Sequence, residues 1–226
     1  SLGSRVAGRL SGRLALGTTL HQSIYTASRF LLIPFLPSLA FLIESGIHIE
    51  RYVLLVILSL FISFLMALLI LIKLNTFQHF FQKVFHHYDD SHIPIALLKS
   101  FAKDKNYVTT SDNIVNFSIE KTQIKKVATS FFAYLFLANG FFVSFLFAIN
   151  FPEYRLTLSQ FTAAFHGIGA LIVAFYLDPM LSRSLDKAES EDSWSRNVYS
   201  ILYGRVLSYI CVCIIFILAY LVLFLF

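Results

Sequence analysis

Long apolar runs separated by polar connections dominate this sequence. Four runs are about as long as a helix that crosses roughly 30 Å of hydrocarbon, and a fifth, near the amino terminus, is longer. Five spans are therefore predicted, over residues 14–43, 52–72, 127–151, 161–177 and 206–226. The pattern indicates an all-α fold, a polytopic transmembrane helix bundle that forms one membrane domain over residues 1–226.

The polar connection over residues 73–126 contains a second pattern. Its apolar side chains recur at helical spacing, which predicts a helix lying amphipathically along the inner leaflet. These side chains are Phe77, Phe80, Phe81, Val84 and Phe85. Farther along, Ser91 is predicted to cap a short helix that has Pro94 in its first turn. The membrane-facing side chains of that helix are predicted to be Leu97, Leu98 and Phe101.

The composition excludes a soluble domain. Of the 226 residues, 57% are apolar and 14% are charged, whereas soluble domains carry about 25% charged residues. Cys211 and Cys213 are two positions apart on one predicted helix, so they point to different faces and predict neither a disulfide nor a metal pair.

The start of the chain does not resemble a secretory signal, because Arg5, Arg9 and Arg13 interrupt any apolar core. Because the helical pattern is already under way at the start of the chain, we expect a further span to precede it.

The distribution of positive charge predicts the orientation. Residues 1–13, 73–126 and 178–205 hold fifteen lysines and arginines, whereas residues 44–51 and 152–160 hold two. Cytoplasmic loops of membrane proteins carry an excess of these residues. The first three segments are therefore predicted to be cytoplasmic and the carboxy terminus to lie outside the plasma membrane. The net charge of +5 follows from this bias and does not indicate a nucleic-acid partner.

Arg29 lies near the middle of the first predicted span, where a charge costs roughly 2.5–3.5 kcal/mol on insertion scales. On an ideal helix it shares a polar stripe with four other side chains, and such a stripe must face protein or water. These side chains are Ser11, Thr18, Gln22 and Tyr25. The stripe predicts a hydrophilic cavity whose cation meets an anionic substrate. The alternative is a structural ion pair with Glu44, Glu153 or Asp178.

The amino-terminal arginines Arg5, Arg9 and Arg13 recur every four residues, which predicts a single helical ridge. Glycines between them permit close approach of a ligand or a backbone, and guanidinium groups fork onto phosphate oxygens. The ridge therefore indicates a pyrophosphate-binding site at the inner leaflet. The alternative is that these are ordinary basic residues on the cytoplasmic side of a membrane span. In one straight helix the ridge lies opposite Arg29, so both face one cavity only if Gly12 or Gly17 bends the chain.

Other polar residues in or near the spans are candidates for coupling or gating. They are Glu153, Arg155, His166 and Asp178. Histidine side chains can relay protons at physiological pH, so His166 is a candidate for coupling, or it can be a packing histidine beside small residues. Asp178 and Pro179 are predicted to close the fourth span, and Arg205 adds a cation to the substrate cavity.

The histidines and aspartates in residues 86–92 are too close in sequence for a structural zinc site. They indicate a solvated turn, and neither a metal nor another cofactor is predicted. The sequence also lacks a Gly-rich phosphate loop and a nucleophile elbow, and the absence of a nucleotide site argues against a primary pump. Glu153 and Asp178 are predicted to lie at opposite faces of the membrane and cannot jointly hold a metal, so no enzymatic activity is expected.

Two blocks of residues resemble the Amj family of alternate lipid II flippases, which can stand in for the MurJ flippase. The first block consists of residues 4–8, 12–16 and 28–29, followed by Pro34. The second consists of residues 151–155, Thr157, residues 159–160, Gly167 and residues 176–179. The sequence departs from the family at His166, where asparagine is usual, and at residues 206–209, where Gly-Thr and Ala-Gln pairs are usual.

The resemblance implies six spans in the native protein and transport of lipid II, an undecaprenyl-pyrophosphate-linked peptidoglycan precursor, among membrane lipids of the bacterial plasma membrane. Arg29 then meets the pyrophosphate, with Gln22 and Tyr25 beside it. Two other readings remain open: a membrane enzyme that modifies polyprenyl phosphates, and a scaffold for cell-wall enzymes that transports nothing.

Overall fold

The computed structural model describes residues 2–89, 91–101, 122–186 and 191–224, and these ranges contain helices and no strand. The helices are α1 Leu2–Leu10, α2 Leu14–Phe30, α3 Leu32–Glu44, α4 Ile49–Ile72, α5 Leu74–Tyr88, α6 Ile93–Phe101, α7 Ile124–Asn150, α8 Arg155–Ile172, α9 Asp178–Asp186 and α10 Glu191–Phe224. The all-α prediction is confirmed.

Five helical segments are long and apolar enough to cross a membrane, as predicted. They are Leu14–Glu44, Ile49–Ile72, Ile124–Asn150, Pro152–Leu185 and Ser193–Val222. The helices form two compact units. The first contains α1, α2, α5 and α6, and the second contains α4, α7, α8, α9, α10 and nearly all of α3.

The first apolar run is divided into α2 and α3 at Leu31. Pro34 explains the position of the break, because it has no N–H to donate to the carbonyl of Phe30 and its ring clashes with that group. It occupies the first turn of α3, where an N–H would lack a helical partner anyway. Pro37 lies inside α3 without ending it.

The first unit is built on a helical hairpin. Gly12 has a φ of +71°, a left-handed conformation that favours glycine, and there the chain turns from α1 into α2. A Cβ added at Gly8 would lie 2.7 Å from the Cα of Gly17, so the two helices touch through backbone. The predicted single ridge over the amino-terminal arginines is therefore wrong beyond Leu10, where α1 ends. Ser11, assigned to the Arg29 stripe, lies in the turn instead.

The aromatic face of α5 packs against protein. Phe81, Val84 and Phe85 are buried in one cluster with Ala7 of α1 and Leu20 of α2. The prediction of an amphipathic helix is thus correct, but much of its apolar face covers the α1–α2 hairpin and is not free to lie on the membrane.

The short helix α6 begins near the predicted position and has Pro94 in its first turn. Its predicted cap is wrong, because the Ser91 hydroxyl donates to the carbonyl of His87 at 2.7 Å. Leu98 and Phe101 of α6 are exposed.

In the second unit α7 packs against α8 and α10, and glycine sets the closest approaches. A Cβ added at Gly169 would lie 2.5 Å from the backbone nitrogen of Leu137, and one added at Gly204 would meet the carbonyl of Val127. In hydrocarbon, where apolar burial drives helices together only weakly, such close packing is a main source of association.

The helix that contains the fourth predicted span, residues 161–177, is longer than that span. It does not close at Asp178 but passes through a π-helical stretch, Val173–Leu177, into α9, which ends at Asp186. Pro179 gives the reason, because it cannot donate to the carbonyl of Phe175, and a widened turn accommodates the missing hydrogen bond.

We predict that Gly8→Ala destabilises the first unit by about 1–3 kcal/mol, because the added methyl overlaps the backbone of α2. Gly167→Ala is the matched control: a Cβ there meets nothing within 4 Å, and alanine favours a helix interior. Thermal unfolding in detergent, followed by circular dichroism, measures both. Equal melting temperatures for the two variants would contradict the close contact.

Candidate functional site

Arg29 lies near the middle of the span Leu14–Glu44 and is held by Tyr25, one helical turn earlier. Its Nη2 donates to the tyrosine hydroxyl at 2.7 Å, and the guanidinium carbon lies 4.5 Å from the centroid of the ring. Arg29 and Gln22 are exposed and Tyr25 is half-buried. The polar stripe of α2 therefore presents a cation and two hydrogen-bonding groups on an uncovered face.

Arg205 is held in a similar way in the second unit. It lies near the middle of the span Ser193–Val222 and is partly buried between two tyrosines. The guanidinium carbon is 4.9 Å from the ring centroid of Tyr134 and 5.6 Å from that of Tyr209. Its Nε and Nη2 donate to the Tyr209 hydroxyl at 3.4 Å, which is a long contact.

Within its own unit, neither mid-span arginine pairs with a carboxylate among the described residues. The predicted alternative, an ion pair of Arg29 with Glu44, Glu153 or Asp178, would join residues of different units and stays a prediction. A cation–π contact stabilises a guanidinium by up to about 2 kcal/mol when desolvated and leaves its charge intact. Both groups thus retain a full positive charge that an anion can meet.

The amino-terminal arginines have different environments. Arg5 is buried and 4% exposed, and Arg9 is partly buried. Arg13, placed beyond the turn at Gly12, binds Asp89 with two hydrogen bonds of 2.7 and 2.8 Å and donates to the carbonyl of Phe85 at 3.1 Å. Asp89, assigned to a solvated turn, is therefore the partner of Arg13.

The Arg13–Asp89 pair shifts both groups toward their charged forms. The hydrogen bonds lower the pKa of Asp89 below its usual 3.8 and raise the pKa of Arg13. A carboxylate with a lowered pKa stabilises the fold above its ordinary pKa, and this contribution disappears as the pH falls through the lowered value. The pair therefore persists at physiological pH, and Asp89 neutralises the charge of Arg13.

The remaining candidates lie in the second unit. His166 has its Nδ1 3.2 Å from the carbonyl of Leu137, an arrangement typical of a packing histidine. Asp178 begins α9. Glu153 and Arg155 line a cavity of about 440 Å³ together with Glu44.

The contact of Tyr134 with Arg205 was missed at the level of sequence. Tyr134 and Arg205 are on different spans, and nothing in the spacing of α7 marks this tyrosine among its many aromatic residues. Tyr209 was detectable, because it follows Arg205 by one helical turn.

We predict that Asp89→Asn loosens the α1–α2 hairpin, because it removes the charge that holds Arg13 across the end of α5. Backbone hydrogen exchange of residues 2–13 at pH 7 should be faster than in the unmodified chain. Asp178→Asn, in the other unit, should leave this exchange unchanged. The unmodified chain should approach the exchange behaviour of Asp89→Asn only in acid, below the ordinary pKa of aspartate.

Comparison with known proteins gives one assignment. Neither the curated proteins nor the solved structures contain a match to this chain. A family model described as Amj, Alternate to MurJ, matches residues 1–225. Because the match extends over essentially the whole chain, this multi-pass membrane protein belongs to the Amj family.

Proposed function

We propose that this protein is a lipid II flippase of the bacterial plasma membrane. It would move the undecaprenyl-pyrophosphate-linked precursor of peptidoglycan from the inner to the outer leaflet, for cell-wall synthesis and the maintenance of cell shape. The name of the family supports this substrate, since an alternate to MurJ implies the same transport step.

The observation that carries the proposal is an arginine at mid-span, Arg29, that has no carboxylate partner among the described residues of its own unit. Arg29 keeps its charge at a depth where a cation is costly, and a pyrophosphate passing the membrane needs a counter-charge there. The polyprenyl tail stays in the lipid while the head group moves along the polar stripe of α2. Gln22 and Tyr25 offer hydrogen bonds to phosphate oxygens or sugar hydroxyls on the same stripe.

The hold on the substrate must be weak enough to allow release. A tyrosine that already shares the guanidinium of Arg29 competes with the phosphate for its N–H groups, so binding is limited. Arg205, in the other unit, is a second arginine whose guanidinium group contacts tyrosine rings. Arg5 and Arg9 would attract the head group at the inner leaflet, whereas Arg13, with its charge neutralised by Asp89, contributes less.

Translocation in this scheme leaves the substrate covalently unchanged, so the protein is not an enzyme. Incubation of purified protein with lipid II tests this directly, because a modifying enzyme would yield a covalent product detectable by mass spectrometry. Recovery of unaltered lipid II is expected.

We propose an orientation from the distribution of positive charge, with residues 1–13, residues 73–126 and the connection between the fourth and fifth spans in the cytoplasm and the carboxy terminus outside. Alkaline phosphatase, which is active only outside the cytoplasm, should be active when fused after Phe226 and inactive when fused after Tyr88. The reverse result would invert the proposed direction of every span.

We predict that Arg29→Ala abolishes transport. In cells depleted of other flippases, the variant should fail to support growth, and lipid II accessible at the outer leaflet should fall to the level of cells without the protein. Tyr25→Phe removes one hydroxyl and retains the ring, so a partial effect is expected.

The control for this experiment is Arg183→Ala, which removes an exposed arginine of α9, a helix that carries neither mid-span arginine. It should support growth normally, and immunoblots should show equal amounts of all variants in the membrane. Normal growth with Arg29→Ala at equal abundance would remove Arg29 from the mechanism.

A further inference from the structure

A cavity in the second unit combines an apolar floor with charges of both signs. It has a volume of about 440 Å³ and lies between the end of α3, the end of α7 and the start of α8. Ile43, Phe145 and Ala148 form its buried apolar part. Glu44, Glu153 and Arg155 are the charged residues that line it, with Ser159 and Gln160 beside them.

These three charged groups do not neutralise one another. In the described ranges no carboxylate lies within ion-pair distance of Arg155, and neither Glu44 nor Glu153 has a cationic partner. Since all three line one cavity, the space between them can hold a ligand with complementary charges.

Arg155 has an unused binding edge. Its Nε is shielded from solvent and makes no hydrogen bond with any described residue. Carboxylates bind arginine side-on through two parallel N–H···O bonds, and the Nε–H is one of the donors in that geometry. A planar carboxylate would complement the guanidinium group of Arg155, and an ammonium group would complement the two glutamates.

The polar and apolar residues of the cavity further restrict the class of ligand that it can bind. The Ser159 hydroxyl is occupied by the carbonyl of Leu156 at 2.7 Å, so its oxygen is available mainly as an acceptor. Gln160 is exposed and can pair with a peptide group through its amide. The apolar floor suits small aliphatic side chains, and a volume of 440 Å³ exceeds what a single amino acid fills.

We propose that this cavity binds the free end of a short zwitterionic peptide with small apolar side chains. Arg155 holds its carboxylate, Glu44 and Glu153 hold its ammonium group, and the aliphatic side chains lie on the floor. The peptide of a transported head group is the natural source, and this last step alone rests on the proposed function.

The test uses the purified full chain in lipid nanodiscs and the dipeptide alanyl-alanine as probe. Saturation-transfer NMR titrations should give saturable binding. N-acetyl-alanyl-alanine lacks the ammonium group and alanyl-alanine amide lacks the carboxylate, so each should bind about tenfold more weakly. Equal binding of all three compounds, or no saturable binding of the zwitterion, would overturn the proposal.

Matched variants assign the binding to this cavity. Arg155→Gln should weaken the zwitterion about tenfold and leave the affinity of the amide unchanged, since the amide has no carboxylate to lose. Ser159→Phe fills the cavity without changing charge and should abolish binding. Arg183→Gln, outside the cavity, should have no effect. Undiminished binding in both cavity variants would contradict the assignment.

The outcome is independent of transport. Arg29→Ala should bind alanyl-alanine with unchanged affinity even where it no longer moves lipid II. A chain that binds the dipeptide but fails the leaflet assay would disprove the flippase proposal and leave the peptide site standing.

Discussion

The cost of holding a guanidinium group at membrane depth governs this structure. Arg29 and Arg205 lie near the middle of their spans, and hydrocarbon offers neither water nor counter-ions to stabilise them. In each case a tyrosine one turn away supplies a π-face and a hydroxyl. This arrangement lowers the free-energy cost of placing the cation in the membrane and leaves its charge intact. A carboxylate partner would neutralise that charge. A site built in this way retains its attraction for anions.

The packing around these residues follows from the same solvent. Lipid tails are as apolar as leucine, so helices associate through close contact and not through hydrophobic exclusion. Glycine supplies that contact in both units, at Gly8 and Gly17 in the first and at Gly169 and Gly204 in the second. Hydrogen bonds within the second unit add specificity, as where the Tyr52 hydroxyl donates to the carbonyl of Phe142 at 2.9 Å. The scaffold therefore holds its polar groups without a large soluble core.

Much of this architecture could be predicted from local sequence. The spans follow from run length, and the break in the first span follows from the missing N–H of Pro34. The arginine stripe of α2 was also visible, because Tyr25 and Arg29 are one turn apart. The Arg13–Asp89 pair was not visible, since 76 positions separate its members and only the turn at Gly12 brings them together. The same holds for Tyr134 and Arg205, whose contact depends on how α7 packs against α10.

The π-helical stretch Val173–Leu177 has a geometric consequence for the fourth span. A π turn holds about one residue more than an α turn, so every side chain after Leu177 is rotated by roughly one residue's angle, about 100°, relative to an uninterrupted helix. One helical wheel therefore describes the directions of Ser159, Thr162 and His166. A second wheel, rotated relative to the first, describes those of Met180 and Arg183. A single helical wheel drawn over the whole span would align faces that the protein keeps apart.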